Sequence, residues 1–114
     1  MTNPFLTKPN YVRIFGHRGA RGEIAENSIE GFKHLFALGI KAVEFDVVIS
    51  KDKIPVLYHY FNLMPYLVKD ESGNWLKNSE LKVFDKSYEE LSKYNIGGLD
   101  PESKHGKRFK EQKL

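Results

Sequence analysis

The 114-residue sequence contains no cysteine, which excludes disulfides and thiolate metal sites and fits a reducing compartment. No apolar run approaches the roughly 20 residues needed to cross a bilayer. The N-terminus, MTNPFLTKPNYVRIF, lacks the apolar stretch of a signal peptide. A soluble, cytoplasmic protein without a membrane span is therefore expected. Charge of one sign is also scarce: the net charge is +3, and much of the excess sits in the C-terminal SKHGKRFKEQK. This allows a weak attraction to anions but lacks the clustered cations and interleaved aromatics of a nucleic-acid surface, so no nucleic acid is expected as a partner. Internal repeats and low-complexity tracts are absent. What is present suffices for a small core, since 40% of residues are hydrophobic and 13% aromatic, and the length corresponds to one domain or part of one.

Residues 1–10 read as an irregular lead-in with two prolines. Tyr11–Phe15, rich in β-branched and aromatic residues, predicts a first strand ended by Gly16. The loop HRGARGE follows. Asn27 or Ser28 then caps a helix, with Glu30 three residues after Asn27 as in a capping box. Ile29, Phe32, Leu35 and Phe36 form the apolar stripe of that helix, and Gly39 stands where a C-terminal glycine is favoured. Lys41–Ile49 predicts a second strand, parallel to the first, so that residues 11–49 form a βαβ unit. Only SKDK separates Ile49 from the apolar segment 54–59, too short for a parallel crossover. An antiparallel hairpin is expected, and a two-residue turn at Asp52-Lys53 brings Asp46 opposite His59, whereas a three-residue turn shifts the register by one. Beyond Tyr60 the segment reads as an appendage, with a tight turn at SGN and a short helix near Tyr88, capped by Ser87 with Glu90 and turning Leu91 and Tyr94 inward.

Chemistry concentrates between Ile14 and Tyr60. Glu44 and Asp46, two apart on a strand, point the same way with Cβ atoms about 7 Å apart. They can grip one hard cation. Alternatively they are the solvent-facing side of an amphipathic strand. The surrounding Val, Ile and Phe favour a strand buried on both faces, whose carboxylates need a partner. His17 and His59 are acid-base candidates because imidazole titrates near neutrality. His34 and His105 read as structural or surface groups. Arg18 can clamp a phosphate through its planar fork.

The strings HRGARGEIAENSIEGF and VEFDVVISKDKIPVLYH carry a stronger signal together. His17-Arg18-Gly19, then Glu26-Asn27, then Glu44-x-Asp46, then His59 ending a strand, resemble the opening signature of the glycerophosphodiester phosphodiesterase family. KDESGNWL and YEEL resemble that family's insertion region. The resemblance implies an α/β TIM-barrel fold of the PLC-like phosphodiesterase type. It implies a divalent cation, Mg²⁺ or Ca²⁺, and metal-dependent hydrolysis of glycerophosphodiesters to glycerol 3-phosphate and an alcohol. It assigns His17 and His59 to acid-base catalysis, Glu44 and Asp46 to the metal, and Arg18 to the substrate phosphate. Two positions depart from the family pattern: Tyr60 follows the second histidine where Asp is usual, and the hairpin turn is Asp52-Lys53 rather than Asp-Gly.

A TIM barrel takes about 250 residues, so residues 11–114 are expected to form an incomplete barrel. The expected content is the N-terminal βαβ unit plus the hairpin, with 61–114 as the insertion-like region. The family's third metal carboxylate and a lysine on a later strand then lie outside the chain. Alone it is expected to be a poor enzyme, with Val43, Phe45 and Val47 incompletely covered, prone to self-association or in need of a C-terminal half. The rival readings are a phospholipase D-like lyase of the same fold and a non-catalytic remnant or anion-binding module.

Overall fold

The computed structural model describes residues 10–96 and 98–104. Nearly all of the lead-in, and the basic tail with His105, lie outside these. The described elements run β1 (Gly16–His17), α1 (Ile29–Ala37), β2 (Val43–Glu44), β3 (Val47–Ile49), β4 (Pro55–Leu57), a 3₁₀ turn (Val83–Asp85) and α2 (Tyr88–Leu91).

β1 and β2 are parallel, pairing Gly16 with Val43 and His17 with Glu44. The βαβ expectation holds, but its first strand is displaced. The described backbone takes up no strand before Gly16, and Tyr11, Val12 and Ile14 are exposed. Pairing starts instead where the Gly16 N–H reaches the Ala42 carbonyl at 3.0 Å. A β-forming side chain without a covering layer gains nothing from extended structure. Glycine is required at that start: a methyl on Gly16 would collide with the Leu35 side chain and the Gly19 carbonyl. The first strand thus crosses directly over the one apolar residue of α1 that is fully buried, Leu35.

Ser28, not Asn27, caps α1: its hydroxyl accepts the Gly31 N–H at 3.0 Å, and no capping box with Glu30 forms. Gly39, in the left-handed region at φ +80°, follows the C-cap Leu38 as the sequence predicts. Of the apolar stripe, Ile29 and Phe36 stay exposed.

The predicted second strand is two strands. Between β2 and β3 the Asp46 N–H leaves the ladder and donates to the Asn27 side-chain oxygen at 3.0 Å. The first part of the extended segment pairs with β1 and the second part with β4, giving two small sheets. It is not buried on both faces: Phe45, Val47 and Ile49 are each about half exposed.

The hairpin forms, with a register one residue from the two-residue-turn expectation. β3 and β4 pair Val47 with Leu57 and Ile49 with Pro55. The three-residue turn 51–53 closes with the Lys53 N–H on the Ser50 carbonyl and Lys53 at φ +65°. A residue in that conformation after a type I turn gives a three-residue loop. Tyr58, rather than His59, then comes opposite Asp46, and its N–H donates to the Asp46 carbonyl at 3.2 Å.

The segment after Tyr60 is more than an appendage. The buried cluster consists of Val48 and Tyr58 from the hairpin with Leu63, Leu67, Val68, Val83 and Leu91. Tyr58 anchors the junction, since its hydroxyl accepts the Met64 N–H at 2.9 Å. Burial, only partly offset by that bond, pushes its phenol up to about 12. The Ser87–Glu90 capping box is present on α2, and Tyr94 packs against the cluster beside buried Leu91. The turn at Gly73, φ +81°, is present as well. Among the described residues no helix is long and apolar enough to cross a membrane.

Candidate active site

β1 and β2 end side by side, which brings His17 and Glu44 to one edge, where ligands gather in parallel α/β folds. His17 Nε2 lies 3.9 Å from Glu44 Oε2. The chain then turns sharply: Arg18 (φ +51°) and Gly19 (φ +82°) are both left-handed. That turn aims the Arg18 N–H at Glu44 Oε2, 3.0 Å away, and the Gly19 N–H at the Glu44 carbonyl, 3.2 Å away.

The Arg18 side chain folds inward. Its Nη1 donates to Glu26 Oε1 at 3.1 Å. Its Nε stands 3.4 Å from Asp46 Oδ2, close enough for an ion pair but without hydrogen-bond alignment. The guanidinium carbon lies 5.8 Å from the centre of the Tyr60 ring. Burial works to lower the Arg18 pKa, but its hydrogen bond with Tyr60 and the nearby Glu26 carboxylate prevail and raise it. The guanidinium is a fixed cation at the centre of the site. Glu26 is shared, because Arg21 Nε also reaches Glu26 Oε2 at 2.8 Å.

Asn27 is the residue whose role the sequence most understates. It is buried and takes a left-handed φ of +53°. Its side chain grips Asp46 twice: Nδ2 donates to Asp46 Oδ2 at 3.1 Å, and Oδ1 accepts the Asp46 N–H at 3.0 Å. Its own N–H donates to the Arg18 carbonyl at 2.8 Å. Asparagine suits the position because it tolerates φ > 0 and offers both a donor and an acceptor. Asn27→Ala is therefore expected to cost about 2–3 kcal/mol through the orphaned Asp46 N–H and the left-handed backbone. Asn27→Gly, free of the backbone penalty, should cost less. Urea unfolding curves check this, and an alanine variant as stable as the parent would refute the bridging role.

The predicted site residues come together in part. His17, Arg18, Glu44 and Asp46 form one connected cluster. His59 joins it only through a neighbour: no hydrogen bond or ion pair among the described residues links it to either carboxylate. Its ring instead packs edge-on against Tyr60, centroids 4.4 Å apart at 78°. The His59 Nδ1 is buried without a hydrogen-bond partner. His34 sits on the surface paired with Glu23, as its structural reading requires. Beside Glu26 opens a cavity of about 340 Å³, lined among others by Arg21, Ile24, Tyr66 and Leu99.

For a hard divalent cation, the donor set fits in kind. Glu44 and Asp46 offer carboxylate oxygens, and their side chains are 48% and 26% exposed, so an ion can reach them. Among the described residues no group of three or more His, Asp or Glu side chains is arranged to hold a metal. The further positions would be filled by water, by substrate or from outside the described residues.

The chain is similar to known proteins. A model of the glycerophosphoryl diester phosphodiesterase family matches residues 17–114, and the chain belongs to that family. A glycerophosphodiester phosphodiesterase of Caldanaerobacter subterraneus is 31% identical over 101 residues, covering 89% of this chain and 35% of that protein. A glycerophosphocholine phosphodiesterase of Eremothecium gossypii is 42% identical over 58 residues, covering 44% of this chain and 4% of the relative. Among solved structures, a candidate glycerophosphoryl diester phosphodiesterase of Silicibacter pomeroyi superposes with a TM-score of 0.87 at 41% identity, covering 94% of this chain and 36% of that one. The chain thus has the fold of part of a TIM-barrel phosphodiesterase and spans 4% to 36% of the length of these relatives.

Proposed function

We propose that the chain carries the working residues for hydrolysis of a glycerophosphodiester to glycerol 3-phosphate and an alcohol, assisted by a divalent cation. The observation that supports this best is the cluster at the end of β1 and β2, where Arg18 touches both Glu44 and Asp46 while His17 stands 3.9 Å from Glu44. A fixed cation, two solvent-reachable carboxylates and an imidazole suit a dianionic transition state better than a neutral substrate.

Glu44 and Asp46 would hold the cation, which when bound supplies neutralisation of phosphate charge. Two protein carboxylates, with substrate oxygens and water for the rest, suit Mg²⁺ better than the fuller oxygen cage of Ca²⁺. Arg18 meets the phosphate with the N–H groups not engaged by Glu26. His17 and His59 divide the proton work. One takes a proton from the attacking water as the new P–O bond forms, and the other gives a proton to the departing alcohol oxygen as the old bond breaks.

The test is glycerophosphocholine hydrolysis by the purified chain, with and without EDTA and with Mg²⁺ or Ca²⁺ restored. Slow release of glycerol 3-phosphate is expected, abolished by chelation and restored best by Mg²⁺. Turnover indifferent to EDTA would remove the metal from the mechanism. Binding of glycerol 3-phosphate without any turnover would leave a non-catalytic anion-binding module. Turnover on choline lipids but not on the deacylated diester would favour the lyase reading.

A further inference from the structure

Tyr60 touches two of the candidate working groups, His59 and Arg18. Its ring meets the His59 ring edge-on at 4.4 Å and the Arg18 guanidinium at 5.8 Å. Its hydroxyl accepts a hydrogen bond from the Tyr66 hydroxyl at 3.2 Å. The rings of Tyr58 and Tyr66 close around it at 6.0 and 6.5 Å. Tyr66 is held in turn, because its carbonyl accepts the Asp100 N–H at 2.8 Å and the buried Leu67 and Val68 follow it.

A working imidazole is usually oriented by a hydrogen bond at the ring nitrogen opposite the reacting one. The His59 Nδ1 is buried and has no such partner among the described residues. The close edge-on contact with Tyr60 is then the constraint on the ring plane, since aromatic pairs prefer that geometry over neighbouring orientations. The same phenol ring lies against the Arg18 guanidinium, a contact attractive through the ring's negative face.

We propose that Tyr60 is a positioning residue of the site: it holds the His59 ring and the Arg18 guanidinium in fixed relation and, through Tyr66, ties both to the 61–104 segment. This rests on the reading of His59 and Arg18 as working groups of phosphodiester hydrolysis. It makes the segment that carries Tyr66 a support of the site through the Tyr66–Tyr60 contact.

The experiment compares Tyr60→Phe, Tyr60→Leu and Tyr66→Phe in the full chain. NMR reads two quantities in each, the exchange rate of the Arg18 Nε–H and the chemical shifts of the His59 ring protons. Kinetics on glycerophosphocholine supply kcat and KM separately, and thermal melting verifies folding. Tyr60→Phe keeps the ring and loses the hydroxyl, so the His59 shifts and kcat should stay near parental values. Its Arg18 exchange and KM should each rise about two- to threefold, because the hydroxyl contact with Tyr66 that steadies the ring is lost while the ring face stays on the guanidinium. Tyr60→Leu should in addition displace the His59 shifts and lower kcat. Tyr66→Phe should move Arg18 exchange in the same direction as Tyr60→Phe, by less. A merely structural tyrosine would change the melting temperature without this split between the two variants. Folded variants whose Arg18 exchange and His59 shifts match the parent would overturn the proposal. If Tyr60→Leu does not fold, the Arg18 exchange of Tyr60→Phe decides. If the parent shows no turnover, the functional reading fails for this chain, while the two NMR quantities still decide the positioning.

Discussion

Glu26→Ala is expected to destabilise the chain by about 3–5 kcal/mol, the usual cost of removing one partner of a buried ion pair. Native domains are stable by only about 5–15 kcal/mol, so this variant should be largely unfolded at modest urea. The reason lies in its two partners. The Glu26 and Arg18 side chains are each 10% exposed, whereas Arg21 is 34% exposed. When Glu26 is lost, Arg21 can swing into water. Arg18 cannot: its backbone is locked in the left-handed turn, and its side chain is enclosed by Asp46 and Tyr60. The site would keep a buried guanidinium facing only the poorly aligned Asp46 carboxylate. Arg21→Ala, which removes the more exposed partner of the same carboxylate, should cost no more than about 1 kcal/mol. Joint replacement of Arg18 and Glu26 by Met and Leu should recover much of the loss, because the desolvation of both charges goes with them. Urea unfolding of the four proteins measures this. A Glu26→Ala variant no less stable than Arg21→Ala would show that the Arg18–Glu26 contact is not a buried pair in solution.

The same ion-pair network explains why part of the site was legible in the sequence and part was not. Parallel pairing of β1 with β2 follows from a strand–helix–strand order, and it alone brings His17 beside Glu44. The i and i+2 spacing of Glu44 and Asp46 survives even though the strand breaks between them, because Arg18 bridges both. The breaking agent was not legible. Asn27 reads as a helix cap until Ser28 takes that role, and only the folded chain shows its side chain substituting for a neighbouring strand at Asp46. The available signal was the redundancy itself, since two adjacent capping residues leave one free for another task. The strand start was misplaced for a related reason. Tyr11, Val12 and Ile14 have the side chains of a strand but no layer above them, while Gly16 and His17 have a partner and need little propensity.

The hairpin shows how small a local term can matter at a site. A two-residue I′ turn needs a left-handed φ at both Asp52 and Lys53, whereas the three-residue loop needs it at Lys53 alone, as found. Ser50 settles the choice, with its carbonyl accepting the Lys53 N–H and its hydroxyl accepting the Ile54 N–H. The cost of a non-glycine residue there is offset by the two bonds. The one-residue shift places Tyr58 across from Asp46 and carries His59 onward to Tyr60. The core was hidden for a different reason. Leu63, Leu67, Val68, Val83 and Leu91 come from loops and single turns that each contribute one or two side chains, so no period of 2 or 3.6 marks them. The Ser87 capping box is the exception, because it is a purely local pattern.

His17→Ala and His59→Ala should each lower kcat for glycerophosphocholine by about 100-fold or more, the scale on which a positioned acid or base contributes. Their stabilities should part company. His17 is 63% exposed and its contact with Glu44 is long, so its removal should alter the free energy of unfolding by no more than about 0.5 kcal/mol. His59 packs against Tyr60 with a buried Nδ1. Its removal leaves a space in a partly buried aromatic cluster but also removes a buried polar atom without a partner, two effects of opposite sign. The loss of rate with little loss of fold in His17→Ala is therefore the cleaner measurement. It separates proton transfer from the ion-pair network, since Arg18 still holds Glu44 by its backbone N–H and Asp46 by its side chain. His17→Gln, which retains bulk and a hydrogen-bonding end but cannot titrate near neutrality, should be as slow as His17→Ala. A glutamine variant with parental kcat would remove His17 from the proton work and leave it as a neighbour of Glu44.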